Sequence, residues 1–221
     1  MAEKLGLAHN KLILSAKVSK APETIEVNRL LSQYTDIPLH VGVTEAGLGI
    51  KGAIATMAGL GVLLFEGIGD TIRTSLTPSP KDSRTEEVFA CQLALQLLGI
   101  RNLIPTLTSC PGCGRTTSKV YLEIANEISI YLRKQTPIWK KKGYKGVEGM
   151  VVAVMGCHVN GPGECKDANI GLSLPGTGEE DIPAQVFKKG EVICKLSGSN
   201  RIEDFKKMIE EYVESNFMVL I

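Results

Sequence analysis

Apolar positions in the first hundred residues switch repeatedly between two periods. KLILSAKV (11–18) is a short apolar, β-branched run of the kind that makes a buried strand. PETIEVNRLLSQY (22–34) then spaces Ile25, Val27, Leu30, Leu31 and Tyr34 as a helix does. LHVGVTEAG (39–47) predicts a second strand ending in a glycine-bearing loop, and IKGAIATMAGLGVLLFEG (50–67) a helix whose small residues allow close packing on a sheet. GDTIRTSLT (69–77) predicts a third strand, and TEEVFACQLALQLLG (85–99) an amphipathic helix, acidic in its first turn and closed by Gly99. This alternation predicts parallel βα units. Three such units do not close a barrel, so the expectation for residues 1–100 is an α/β domain comprising the last part of one. Polar residues gather just past the strand ends, as at the active face of a barrel: Ser15, Lys17, Thr44, Glu45, Arg73 and Ser75.

The pattern changes near residue 101. RNLIPTLTSC leads into a C-x-x-C turn, TSKVYLEIANEISIYLRKQ (117–135) predicts a helix, and TPIWKKKGYKGVEG (136–149) reads as a polar surface loop. GMVVAVMGC (149–157) is a buried strand that delivers Cys157 at its end. Short strands in IGLSL, AQVFKKG and EVICKL, then the amphipathic RIEDFKKMIEEYVESNF, complete a small α+β domain over 101–221.

Composition narrows the function. With 221 residues, 43% hydrophobic and 22% charged, the chain has material for a core and for one or two domains. A net charge of +1 and 5% aromatic residues give no support for a nucleic-acid partner. Gly or charge breaks the apolar runs well short of the ~18 residues a membrane helix needs. MAEKLGLAHN has no apolar signal core, so a cytoplasmic, reducing location is expected. In such a compartment six cysteines suggest metal or catalysis rather than disulfides.

Two motifs concentrate those cysteines: Cys110 and Cys113 in SCPGCGRT, and Cys157 with Glu164 and Cys165 in MGCHVNGPGEC. Alone, C-x-x-C suits a redox pair or half a zinc knuckle. A second C-x-x-C is missing, and three thiolates with a different fourth ligand suit an iron–sulfur cluster better than structural zinc. Gly161, Pro162 and Gly163 form a sharp turn that carries Glu164 back toward Cys157. Neighbouring side chains diverge, so one of Glu164 and Cys165 reaches the metal, and residue chemistry alone leaves that choice open. Lys17 and Arg73 are phosphate-binding candidates, with Ser15, Thr44 and Ser75 as hydroxyl donors and Glu45 as a proton donor. For each cation the plain alternative is a surface ion pair; for Glu45 it is a salt-bridged loop carboxylate. His40 reads as a packed histidine, Cys91 and Cys194 as core thiols, and the lysine run 140–142 as a solvated loop.

Taken together in this order, LHVGVTEAG, EGIGDTIRTSL, SCPGCGRT and MGCHVNGPGE closely resemble the 4-hydroxy-3-methylbut-2-enyl diphosphate synthase (IspG/GcpE) family, from about residue 11 to 211. The resemblance implies a TIM barrel followed by a [4Fe–4S] domain of the sulfite/nitrite reductase type. It implies reductive opening of a cyclic diphosphate, 2-C-methyl-D-erythritol 2,4-cyclodiphosphate, in the methylerythritol phosphate route to isoprenoids, with electrons from flavodoxin or ferredoxin. By resemblance Cys110, Cys113 and Cys157 are the thiolate ligands, Glu164 rather than Cys165 is the fourth, and Asn160 lies near the substrate oxygen. The chain starts at what resembles the sixth of eight barrel strands, so a fragment inactive by itself is expected. The short path from Ser75 to Cys110 resembles the two-domain form, which implies a homodimer. The competing expectation is a non-catalytic zinc module built on Cys110, Cys113, Cys157 and Cys165.

Overall fold

A computed structural model of the chain describes residues 2–80, 83–177 and 182–218. The chain divides into two compact units, Met1–Arg101 and Asn102–Ile221.

The first unit contains α1 (Ala21–Tyr34), β1 (His40–Val41), β2 (Gly47–Leu48), α2 (Gly49–Phe65), β3 (Thr71–Ile72), β4 (Leu76–Thr77) and α3 (Thr85–Leu97). β1 pairs with β3 and β2 with β4, both parallel, as βα alternation requires. The expected strand over 11–18 is reduced to two parallel bridges, Leu14 to Leu39 and Val18 to Val43. In those bridges it has a neighbour on one side only, so its outward residues Ser15 and Lys17 stay exposed. Leu39, Val41, Leu60, Leu63 and Leu64 form the core, with Leu14, Ile25 and Leu31 packed against it. Helix α1 departs from the expected stripe: Leu30 and Tyr34 are exposed, while the polar Thr24 and Asn28 are buried. Their side chains bond within the helix, Thr24 Oγ1 donating to Lys20 O (2.9 Å) and Asn28 Nδ2 to Thr24 O (2.8 Å). That lets this slim face lie against the glycine-bearing side of α2. In α3 only Ala94 is buried, so its apolar positions are covered far less than an amphipathic core helix would be.

The second unit is a five-stranded sheet in sequence order: β5 (Thr106–Ser109), β6 (Val151–Met155), β7 (Ile170–Ser173), β8 (Ala184–Lys188) and β9 (Glu191–Leu196). β5, β6 and β7 are parallel, and β8 and β9 return antiparallel. Alternation along β6 sends Val152 and Val154 into one core and Ala153 and Met155 into another, as a strand covered on both faces requires. The first core is closed by α4 (Val120–Lys141) and α6 (Arg201–Asn216) through Ile124, Ile128, Leu132, Phe205, Ile209 and Val213. Each such buried side chain contributes roughly 1.5–3 kcal/mol. β8 and β9 slip by one residue between Val186 and Phe187, which turns both Val192 and Ile193 outward.

The surface loop expected over 136–149 is overturned. α4 continues through Pro137 to Lys141, and Thr136, Trp139 and Val147 are buried. Apolar spacing persists across the proline: Ile128, Leu132, Thr136 and Trp139 fall on one face. At 1.5 Å per residue, α4 is about 33 Å long, which sets Lys140–Lys142 at the opposite end of the helix from Cys113.

Candidate functional site

Two places gather the residues singled out by the sequence, one in each unit. In the first, the segment 14–18, β1 and β3 run parallel, so their carboxyl ends point the same way. Ser15 Oγ donates to His40 O (2.7 Å), His40 Nδ1 lies 2.8 Å from Thr71 Oγ1, and Asp70 Oδ2 accepts the Leu39 N–H (2.8 Å). Asp70 thus ties β1 to the start of β3. Partial burial, then the Lys17 and Arg73 cations, hold His40 below its ordinary pKa, which places both cations within electrostatic reach of one ring. Thr44 Oγ1 and Arg73 Nε are buried without a hydrogen-bond partner. Thr44 follows β1 and Arg73 follows β3, its parallel neighbour, so both stand past the carboxyl ends of paired strands. Ser75 is half-buried. Glu45 is exposed and held at φ 55°, a left-handed conformation that costs a non-glycine residue about 1–2 kcal/mol.

In the second unit the motifs meet at the carboxyl ends of β5, β6 and β7. Cys110 directly follows β5, and Cys157 follows β6 after Gly156. The Gly156 N–H donates to Cys110 Sγ (3.3 Å), which ties the end of β6 to the first motif. Thr116 N donates to Cys113 O (2.9 Å), closing the turn that follows Cys113, and Thr117 N donates to Gly176 O (2.8 Å). A Cβ on Gly176 would lie 2.5 Å from Arg115 O and 3.2 Å from Cys157 Cβ, so only glycine lets the loop after Cys113 close over Cys157. Tyr121, at the start of α4, wedges against Gly156 from the core side.

The GPG segment is a single helical turn, α5 (Gly161–Glu164), rather than the sharp loop turn expected. Pro162 suits its first positions because no N–H is required there. Asn160 precedes the turn and Glu164 ends it, both exposed. Cys165 faces the other way. It is fully buried with Ala153, Met155, Ala168 and Phe187, and burial first, then the Glu164 charge, pushes its thiol up to about 11. A helical step of about 100° separates the two neighbours into solvent and core.

All six cysteines are free thiols. Among the described residues no three His, Cys, Asp or Glu side chains stand close enough to hold a single metal ion. A cluster binds each thiolate through a different iron, so its ligands sit farther apart than those of one ion. Cys110 half-buried, Cys157 buried and Cys113 exposed on two converging loops, with one N–H already directed at sulfur, fit such a group. Sequence reasoning missed Ser173, Gly176 and Tyr121. A lone serine within the apolar IGLSL strand was the one available signal for Ser173.

These features define a two-unit α/β protein with a cationic strand end in one unit and a three-cysteine sheet end in the other. The GcpE TIM-barrel domain model matches residues 1–92, and the GcpE protein C-terminal domain model matches residues 106–211. The chain belongs to the GcpE (IspG) family, whose members serve isoprenoid biosynthesis as oxidoreductases. No described helix is long and apolar enough to cross a membrane.

Proposed function

We propose that Cys110, Cys113, Cys157 and Glu164 hold a [4Fe–4S] cluster in a domain of the sulfite/nitrite reductase type (residues 101–221). The partial barrel over 1–100 then binds the cyclic diphosphate of methylerythritol, as in 4-hydroxy-3-methylbut-2-enyl diphosphate synthase. The observation that carries this reading is the meeting of the Cys110 and Cys157 loops at one sheet end, with Cys165 packed away in the core. Bound there, the cluster supplies electrons one at a time, from flavodoxin or ferredoxin, and an iron without a thiolate.

The chain's own residues do the rest. Lys17 and Arg73 neutralise the diphosphate, and Ser15, Thr44 and Ser75 donate hydrogen bonds to its oxygens. The buried, unpaired Thr44 Oγ1 and Arg73 Nε support that role. Glu45 delivers the proton that lets the departing hydroxyl leave as water while two electrons enter the substrate. Its strained backbone supports a function, because such strain is retained where positioning outweighs its cost. Asn160 orients the substrate oxygen. The functional assembly is a cytoplasmic homodimer.

Anaerobic reconstitution with iron and sulfide tests the reading. About four irons per chain, and a broad absorbance near roughly 410 nm that oxidation bleaches, are expected. Glu164→Ala should lower iron retention, whereas Cys165→Ala should not. A colourless protein retaining one zinc, lost in Cys165→Ala, would establish the structural zinc module instead.

A further inference from the structure

We propose that Ser173, at the end of β7, is the positioning residue that sets both ligand-bearing parts of the Cys157–Glu164 segment; this rests on the cluster reading above. Ser173 is fully buried and pairs across the ladder with Met155, two residues before Cys157. Leu174 N donates to Met155 O (2.8 Å), so β6 and β7 are still joined where the ligand loop leaves.

From that position the Ser173 hydroxyl donates to the Cys157 carbonyl (3.0 Å). The same carbonyl accepts the Gly161 N–H (3.1 Å), so it is held from β7 and from the first residue of α5 at once. Gly161 lies flush against Ser173, where any Cβ would collide with the serine side chain. His158 Nδ1 stands 3.5 Å from the hydroxyl, at the limit of a hydrogen bond. One side chain therefore fixes the backbone of Cys157 and the start of the turn that ends in Glu164. Glu164 N in turn donates to Asn160 O (3.0 Å), so the backbone that carries Glu164 is tied to the start of the same turn. A ligand pair set by a fully buried strand residue is held more narrowly than one set by its own loop.

Alkylation of the apo chain by iodoacetamide, mapped peptide by peptide, reads the lock directly. Cys157 is only 3% exposed, so it reacts when its loop opens. Ser173→Ala is expected to speed Cys157 labelling about five- to ten-fold, the equilibrium effect of one net hydrogen bond, with Cys110 and Cys113 unchanged within about twofold. Ser173→Thr keeps the hydroxyl and should stay nearer wild type. The control is Thr136→Ala, which removes an equally buried hydroxyl bond, to Leu132 O, from the middle of α4. After reconstitution, Ser173→Ala should also alter the low-temperature magnetic resonance signal of the reduced cluster, and Thr136→Ala should not.

Labelling of Cys157 in Ser173→Ala within twofold of wild type overturns the proposal. Equal acceleration by Thr136→Ala overturns it too, because the effect is then general loosening. Should Ser173→Ala fail to fold, amide exchange in the wild-type chain decides: slow exchange of the Gly161 N–H supports the lock, and unprotected exchange refutes it. If the wild-type chain takes up no iron, the cluster reading fails while the labelling result stands on its own.

Discussion

Glu210→Ala removes the acceptor that joins α6 to α4. Glu210 Oε2 accepts the Trp139 indole N–H (2.8 Å) and the Tyr131 hydroxyl (3.1 Å), and Oε1 lies 3.6 Å from Lys142 Nζ. Trp139 is fully buried, so truncation leaves its N–H unpaired at a cost of about 1–3 kcal/mol. Loss of the half-exposed Tyr131 bond adds about 1 kcal/mol, and the Lys142 pair, largely in solvent, adds under about 1 kcal/mol. The sum is about 3 kcal/mol, a large part of a typical folding free energy of roughly 5–15 kcal/mol. Trp139 is the sole tryptophan, so its fluorescence reports the unfolding of its own unit in urea. With a slope of about 2 kcal/mol per molar, the midpoint should fall by about 1.5 M, and Glu210→Gln, which keeps an acceptor, should lose about half of that. The pH dependence carries a second signature. Burial first, then the Glu210 charge, raises the Tyr131 pKa above its ordinary 10.0. The folded state therefore favours the protonated phenol. Its contribution is complete below pH 10 and declines as the pH rises from there toward the raised value. Wild-type stability should drop above pH 10 more steeply than that of Tyr131→Phe. Glu210→Ala unfolding within about 0.5 kcal/mol of wild type, or superimposable alkaline profiles for wild type and Tyr131→Phe, would refute the account.

Gly171→Ala would bring a Cβ to 2.5 Å from Cys165 Sγ and 3.3 Å from Ala153 Cβ. It should cost about 1–3 kcal/mol in denaturant, and Cys165→Ala in the same chain should restore most of the loss; no restoration would mean that Cys165 does not fill that space. Glu45→Gly should raise the thermal midpoint of the first unit, because glycine adopts φ 55° without the roughly 1 kcal/mol penalty, while turnover in any assembly competent for it disappears; a lower midpoint would show the backbone to be unstrained. Lys206 stands 3.0 Å from Glu127 and 2.6 Å from Glu203, both well exposed, so Lys206→Ala should change stability by no more than about 1 kcal/mol, and by less at high salt. A larger loss in equilibrium unfolding, insensitive to salt, would contradict that.

The parts of this chain that were legible before its structure are those in which residue type is itself the requirement. The continuous apolar run in GMVVAVMGC announced a buried strand, and β6 is that strand, covered on both faces. Cys110, Cys113 and Cys157 stood out because sulfur is what such chemistry needs, and they were visible without any knowledge of where their loops meet. Illegible were the places where a local rule gave way to a tertiary contact. The polar segment 136–149, with Pro137 and three successive lysines, read as a surface loop, yet Trp139 is worth more in the core than the one backbone bond the proline removes. The stripe expected on α1 failed in the opposite sense: Leu30 and Tyr34 keep helical spacing but stay exposed, while Thr24 and Asn28, whose hydroxyl and amide N–H donate to carbonyls one turn back, sit inside. Ser173 belongs with these. Its importance lies in a carbonyl it reaches and a glycine it touches, and neither leaves a pattern of residue types along the chain. Candidates for the chemistry could therefore be picked from residue type along the sequence; the contacts that would aim them had to be found by following which backbone groups each buried polar side chain holds.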